Sequence, residues 1–307
     1  MSYAFNFLSR SKSVTYENLK LRDVRYGREV NSWYANLVRK EQGFDIPDDP
    51  APPPMFTPYR LRDLVFQNRV VVSPMCQYSA NDGTPTDWHL VHLGGFAVGG
   101  AGLVYAEMTN VSAAGRITPG CAGMYKPEHV EAWQRVTSFI HQNSRAKICM
   151  QLAHAGRKGS TKYPWHGEDE PLENGNWPLI SASPLPYKEF NQVPKEMTRG
   201  DMDNVLDSFV RATRMAEEAE FDMIEIHMAH GYLLSSFISP VSNVRRDEYG
   251  GELVNRLKFP VEILRAVRSV WPNSKPISCR ISAVRLQDSS SAVGLLRIVL
   301  RSERRHL

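Results

Sequence analysis

Two histidines, His227 and His230, stand at the end of the apolar run Met223-Ile-Glu-Ile-His-Met-Ala-His. On a continuing strand this odd separation would send them to opposite faces, so they converge only if the chain curls into a turn after His227. Two adjacent imidazoles suit the binding of a carbonyl or phenolate oxygen. Two alternatives stay open: a pair of buried core histidines, and a metal site, although the pair lacks an HExxH glutamate. We predict no metal here.

Hydrogen-bonding side chains follow other apolar runs as well. Cys76 follows the first run, where a single cysteine is more often a small core residue than a reactive thiol. Gln151 offers an amide donor and acceptor, which suits the pyrimidine edge of a flavin, although a lone strand glutamine is usually satisfied polar packing. Arg280 ends an otherwise apolar strand. A buried guanidinium needs an anion, and N1 of a reduced flavin would be one.

The elements that carry these residues alternate between short β-branched runs and amphipathic helical stretches. This alternation is typical of parallel strands joined by crossover helices. The predicted strands cover residues 70–73, 102–106, 147–152, 222–227 and 276–281. We therefore predict an α/β fold, a (β/α)₈ TIM barrel of which only the first five β/α units are present. In such a barrel the site lies at the carboxyl ends of the strands.

Local signals refine this prediction. Apolar residues recur at helical spacing over residues 202–216, and Thr198 with Asp201 resembles a capping box at the start of that helix. Two short alternating runs predict a two-strand hairpin over about residues 59–67. The proline- and tryptophan-rich excursion at 163–194 is too long for an ordinary connection and is more typical of a lid or specificity loop.

Changes in composition divide the chain into four segments. Residues 1–46 contain a short helical candidate and are expected to be the remnant of a preceding domain. The proline run at 47–54 favours a semi-rigid linker. Residues 55–283 form the partial barrel, and residues 284–307 a tail outside it. Because this tail leaves no room for strands six to eight, we expect an incomplete barrel, as in a fragment.

Composition excludes several classes of protein. The net charge of +4 is concentrated at the two ends and leaves a mildly acidic body, so nucleic-acid binding is not expected. The four cysteines are far apart without CxxC spacing, which fits a reducing cytoplasm rather than a disulfide framework. We see neither a secretory signal nor an apolar stretch long enough to span a membrane.

Five motifs together resemble one family, the Old Yellow Enzymes. They are Asn68-Arg-Val-Val-Val-Ser-Pro-Met75, Trp88-His-Leu-Val-His92, Gln151-Leu-Ala-His-Ala-Gly-Arg157, His227-Met-Ala-His-Gly-Tyr232 and Asp247-Glu-Tyr-Gly-Gly251. Their order and context match over about residues 55–283. The linker and the sequence Asp87-Trp-His-Leu-Val-His-Leu-Gly94 resemble more closely the reductase half of bifunctional aminobenzoyl-CoA or salicylyl-CoA monooxygenase/reductases.

The resemblance implies a role for each candidate residue. The residues implied to contact FMN lie at strand ends: Ser73, Pro74, Met75, Gln151 and Arg280. Cys76 would tune the flavin potential, and Tyr78 would line the substrate pocket. His227 and His230 would hold the substrate oxygen, and Tyr232 would be the proton donor.

The implied function is an FMN-dependent NAD(P)H oxidoreductase of the ene-reductase type. Hydride would pass through flavin N5 to an activated alkene, so the expected partner is a small-molecule enone or CoA thioester. Met108 stands where many family members have a small residue. The family takes its FMN phosphate site from the seventh and eighth strands. The alternative is therefore a non-catalytic truncated remnant that binds flavin weakly or not at all. The oligomeric state stays open.

Overall fold

The computed structural model describes residues 24–282 of the chain. In this range the chain forms two compact units, residues 24–61 with 65–70 and residues 62–64 with 71–282. The predicted tail at 284–307 lies outside the described residues. Among the helices described, none has both the length and the apolar character that a membrane span requires.

The first unit is built on helix α1, Val24–Gln42, which is longer than the helical candidate in the sequence. Its buried face packs Ala35 and Val38 against Ile46. Two side chains of α1 donate to the following segment, Arg39 Nε to the Ile46 carbonyl (3.0 Å) and Asn31 Nδ2 to the Ala51 carbonyl (3.3 Å). The proline-rich segment, predicted to be a linker, is therefore held against α1 inside the first unit.

The predicted hairpin is confirmed. Strands β1, Tyr59–Leu61, and β2, Leu64–Phe66, pair in a two-stranded sheet. Arg62 adopts a positive φ of 53° in the two-residue connection between them. A left-handed residue is what a tight hairpin requires, because its twist must match that of the strands.

The second unit contains a five-stranded parallel sheet in the order β3-β4-β5-β8-β9. Its strands are β3 Val71–Val72, β4 Leu103–Asn110, β5 Lys147–Ala153, β8 Met223–Met228 and β9 Ile277–Ile281. All five predicted strands are confirmed in this order. The inner strands β4, β5 and β8 are buried almost throughout, as parallel strands covered on both faces are. Between β5 and β8, the short strand β6, Ile180–Ser181, within the predicted excursion, pairs separately with β7, Lys195–Glu196, which begins directly after it.

Strand β4 differs from its predicted end. The strand was predicted to end at residue 106, but Glu107, Met108 and Thr109 lie inside it. The register with β5 shifts between Tyr105 and Met108, and pairing then resumes with Met108 opposite Gln151. Such a bulge adds a residue to one strand and re-aims its side chains, so pairing continues beyond the point where the apolar run ends in the sequence.

Helices cover the sheet of the second unit. The long ones are α2 Asp87–Val98, α3 Pro127–Asn143, α4 Arg199–Glu218 and α7 Lys258–Val270; α5 Leu233–Ile238 and α6 Leu253–Arg256 are short. Trp133, Phe209 and Phe259 from three of the long helices are fully buried in one core with the strands. The predicted capping box of α4 is confirmed, with the Thr198 N–H donating to Asp201 Oδ2 at 2.8 Å. A helix after β9 would fall beyond residue 282, so the fifth β/α unit is described only through its strand.

Candidate active site

The histidine pair converges at the end of β8 as predicted. The chain turns immediately after the strand, with His230 at φ 59° and Gly231 at φ 77°. This turn brings His230 Nδ1 to 3.2 Å from His227 Nε2, with the rings nearly perpendicular at 81°. Neither histidine is therefore an isolated core residue, because each ring contacts the other at the carboxyl end of the sheet.

Hydrogen bonds fix the tautomers of this pair. The Ala229 backbone N–H donates to His227 Nδ1 at 3.1 Å, so the ring proton of a neutral His227 lies on Nε2. That proton points to His230 Nδ1, which places the proton of His230 on its own Nε2. Burial lowers the pKa of His227 to about 3, and burial with the charges of Arg280 and Lys158 lowers that of His230. Both imidazoles are therefore neutral N–H donors near neutral pH.

Tyr232 stands against the pair. Its ring centre lies 5.0 Å from that of His227 and 6.3 Å from that of His230. It also packs with Cys76 and Tyr78 on a buried cluster that includes Met108. Burial raises the pKa of both tyrosines well above the ordinary value for a phenol. Tyr232 therefore keeps its proton at neutral pH, as a group that donates a proton must.

Cys76 has the environment of a packed thiol. Its pKa is raised well above the ordinary value, mainly by burial and further by Cys121 and Glu107. A nucleophilic cysteine needs an environment that lowers its pKa. The sequence leaves two interpretations of Cys76 open, a small packed residue and a reactive thiol. The structure favours the packed residue.

A buried carboxylate, which the sequence analysis missed, links the remaining candidates. Glu225, in the middle of β8, accepts from Gln151 Nε2 at 2.7 Å, from Arg280 Nε at 2.8 Å and from Ser278 Oγ at 3.1 Å. The Nε of Arg280 is therefore paired with a protein carboxylate, and its contact with flavin stays a prediction. The sequence did contain a signal for this site, namely an acidic residue inside an apolar strand. A buried charge needs a partner, so Glu225 could have been predicted to pair with a basic residue.

A second missed network holds the segment that follows β3. Glu107 is almost fully buried and accepts from His89 Nε2 at 2.8 Å and from the Gln77 backbone N–H at 3.1 Å. His89 Nδ1 in turn accepts from the Thr86 backbone N–H at 3.0 Å, which completes the cap of α2. The network fixes the backbone just beyond Cys76.

The three residues at the start of this segment that are predicted to contact FMN are wholly or partly exposed to solvent. Ser73 is exposed, Pro74 is half-buried, and Met75 is 44% exposed although it is apolar. An exposed apolar side chain beside hydrogen-bonding groups is typical of a ligand site.

Comparisons with known proteins give the family of the chain. A model described as the NADH:flavin oxidoreductase / NADH oxidase family matches residues 54–293. A NADH:flavin oxidoreductase of Gibberella zeae is 44% identical over 234 residues, which make up 75% of this chain and 56% of that protein. An NADPH dehydrogenase of a Geobacillus species is 43% identical over 231 residues, 75% of this chain and 63% of that protein. The chain thus spans less than two thirds of the length of these curated relatives.

Solved structures share the fold. Morphinone reductase in complex with tetrahydroNAD has a TM-score of 0.70 at 24% identity, over 80% of this chain and 70% of that chain. Old Yellow Enzyme from Pichia sp. AKU4542 has a TM-score of 0.71 at 24% identity, over 82% and 68%. With the family match, these findings confirm the resemblance to the Old Yellow Enzymes; the narrower likeness to aminobenzoyl-CoA reductases stays a prediction. The chain belongs to the NADH:flavin oxidoreductase / NADH oxidase family.

Proposed function

We propose that this chain carries the flavin and substrate site of an FMN-dependent NAD(P)H oxidoreductase of the ene-reductase type. The observation that carries the proposal is the pair of neutral imidazoles, His227 and His230, with the protonated Tyr232 against them. This set offers the N–H of His230, oriented by His227, to an oxygen and a proton to a neighbouring carbon at one place.

The residues present fit a flavin ring system. Arg280 uses only its Nε on Glu225, and its two terminal nitrogens have no hydrogen-bond partner within residues 24–282. They can bind the edge of the ring that becomes anionic on reduction. Gln151 donates to Glu225 and leaves its amide oxygen as an acceptor for a ring N–H. Ser73, Pro74 and the exposed Met75 lie on the adjoining segment.

The chemistry divides between cofactor and protein. FMN, when bound, would take hydride from NADH or NADPH and supply it to the β-carbon of an activated alkene. The protein's part is positioning and proton delivery. His230 Nε2–H has no acceptor within the described residues, so it can donate to the carbonyl oxygen of an enone or thioester. Tyr232 would give its proton to the α-carbon, which balances the added hydride, and would regain one from solvent.

Flavin binding is tested on the purified chain. We expect a visible spectrum of bound oxidised flavin, bleached by NADH or NADPH without oxygen. In the flavin-loaded protein, His227→Ala with His230→Ala should weaken phenol binding by about 1.5–3 kcal/mol for each charged hydrogen bond lost, while flavin reduction changes less. A chain that retains no flavin in excess FMN would contradict the proposal and support the non-catalytic alternative. Unchanged phenol binding would remove the pair from the site.

A further inference from the structure

A lysine that none of the sequence motifs assigns a role reaches this site. Lys158 ends the short 3₁₀ turn Gly156–Lys158 that follows β5. Its Nζ lies 4.3 Å from the centre of the Tyr187 ring and 5.3 Å from that of Tyr232. Its stem passes over Gly231, where an added Cβ would lie 3.6 Å from Lys158 Cδ. The ammonium group is therefore held over the aromatic ring that stands against the histidine pair.

Lys158 differs from nearby lysines in having no acidic partner. Lys188, which also lies over Tyr187, forms an ion pair with Asp169 at 3.0 Å, and Lys162 pairs with two glutamates. Lys158 forms no ion pair or side-chain hydrogen bond with any residue from 24 to 282. The face of an aromatic ring attracts a cation, but it does not provide conventional hydrogen-bond acceptors for the three N–H groups of an ammonium. Its donors are thus available to a ligand.

The charges around the site leave this cation uncompensated. Arg280 is neutralised by Glu225. Arg157, next to Lys158, donates to the backbone carbonyls of Leu185 and Pro186 rather than to a carboxylate. The positive charge of Lys158 is also among the causes that lower the pKa of the histidine pair. A site with an excess cation and neutral donors favours an anionic ligand.

We propose that Lys158 binds an anionic group, a carboxylate, on the same substrate whose oxygen the histidine pair holds. The inference rests on the proposed function and narrows it, because the substrate class becomes an activated alkene that also carries a carboxylate. Tyr187 and Tyr232 position the ammonium group between them. The contact would be a charge-assisted hydrogen bond, which is stronger than one between neutral groups.

Four small phenols test this inference by calorimetry at pH 7. The probes are 3- and 4-hydroxybenzoate and the corresponding 3- and 4-hydroxybenzamides, which match the acids in shape but carry no charge. In the natural chain we expect one acid to bind at least about 10-fold more tightly than its amide, the ratio expected for a charged hydrogen bond. Lys158→Met should abolish that preference, and Lys158→Arg should retain it. Lys188→Met is the matched control and should leave the ratio unchanged.

The amides report whether a variant is folded, because their affinity should survive in Lys158→Met. Equal affinities for acid and amide in the natural chain, absence of binding by all four probes, or a preference that persists in Lys158→Met would each overturn the inference. Flavin content is measured on the same samples by absorbance. Its absence would contradict the proposed function and with it the substrate class, whereas the heat of binding separately decides whether Lys158 binds a carboxylate.

Discussion

The carboxylate of Glu107 is the only acceptor in the described residues for two donors, the buried His89 Nε2–H and the part-buried Gln77 backbone N–H. Glu107→Gln preserves the size of the side chain but turns one of the two acceptor oxygens into an NH₂ donor. The backbone N–H of Gln77 cannot become an acceptor. His89 cannot change tautomer without facing the Thr86 N–H with a second donor. One of the two hydrogen bonds must therefore be lost.

The magnitude follows from the number of orphaned donors. A buried donor left without a partner costs about 1–3 kcal/mol. Glu107→Gln should thus lower the free energy of unfolding by about 1–3 kcal/mol, because one donor is orphaned. Glu107→Ala orphans both donors and should cost about 2–6 kcal/mol, before any cavity contribution.

Urea unfolding measures these differences, provided that the slope m is the same in each variant. Glu131→Gln, an exposed change of the same chemistry on α3, is the control and should stay within about 0.5 kcal/mol of the natural chain. If Glu107→Gln destabilised the chain as much as Glu107→Ala, or if both matched the control, the hydrogen-bond argument would be refuted.

Two further variants test backbone packing and a buried titration. Gly156 and Gly175 share a positive φ, but a Cβ at 156 would lie 2.9 Å from Leu233 Cα while one at 175 meets nothing within 4 Å. Gly156→Ala should therefore lower the free energy of unfolding by about 1–3 kcal/mol more than Gly175→Ala, and equal losses in urea unfolding would contradict this. Burial lowers the pKa of His154 to about 4 in the folded chain, whereas the same side chain in the unfolded chain has an ordinary pKa of about 6.5. Between these two values the unfolded chain binds more protons than the folded chain. The free energy of unfolding therefore falls as the pH falls from about 6.5 to about 4. His154→Asn, which keeps an acceptor for the Gly156 N–H, should flatten the measured dependence there; an unchanged slope would exclude His154 as a contributor.

Patterns confined to one segment predicted structure well. The five strands follow from short apolar runs, and the cap of α4 follows from Thr198 and Asp201 three residues apart. The convergence of His227 and His230 was also predictable, because a glycine follows and permits the turn. These features depend on the backbone preferences of neighbouring residues, which a single sequence contains.

Partners across the sheet could not be predicted in the same way. Glu225 meets Gln151 and Arg280 because β8 pairs with β5 on one side and β9 on the other, in registers that place Gln151 opposite Glu225 and His227 opposite Arg280. Register depends on twist and bulges along the whole sheet, including the shift in β4. Lys158 likewise acquires its place from the path of a loop.

The cations at the site also explain why a neutral histidine pair suits it. Protonated His227 would face the positive charges of Arg280 and Lys158 while being buried, and both effects disfavour its charged form. The pair thus donates hydrogen bonds without needing a counter-ion of its own, and the nearby carboxylate of Glu225 is already committed to Arg280. In the proposed reaction, the N–H of His230 would meet the negative charge that develops on a bound oxygen, and the charge of Lys158 would stabilise it over a longer distance. In the proposed reaction, a neutral N–H would bind the carbonyl oxygen and form a stronger hydrogen bond as charge develops on that oxygen, which is the requirement for accelerating a reaction.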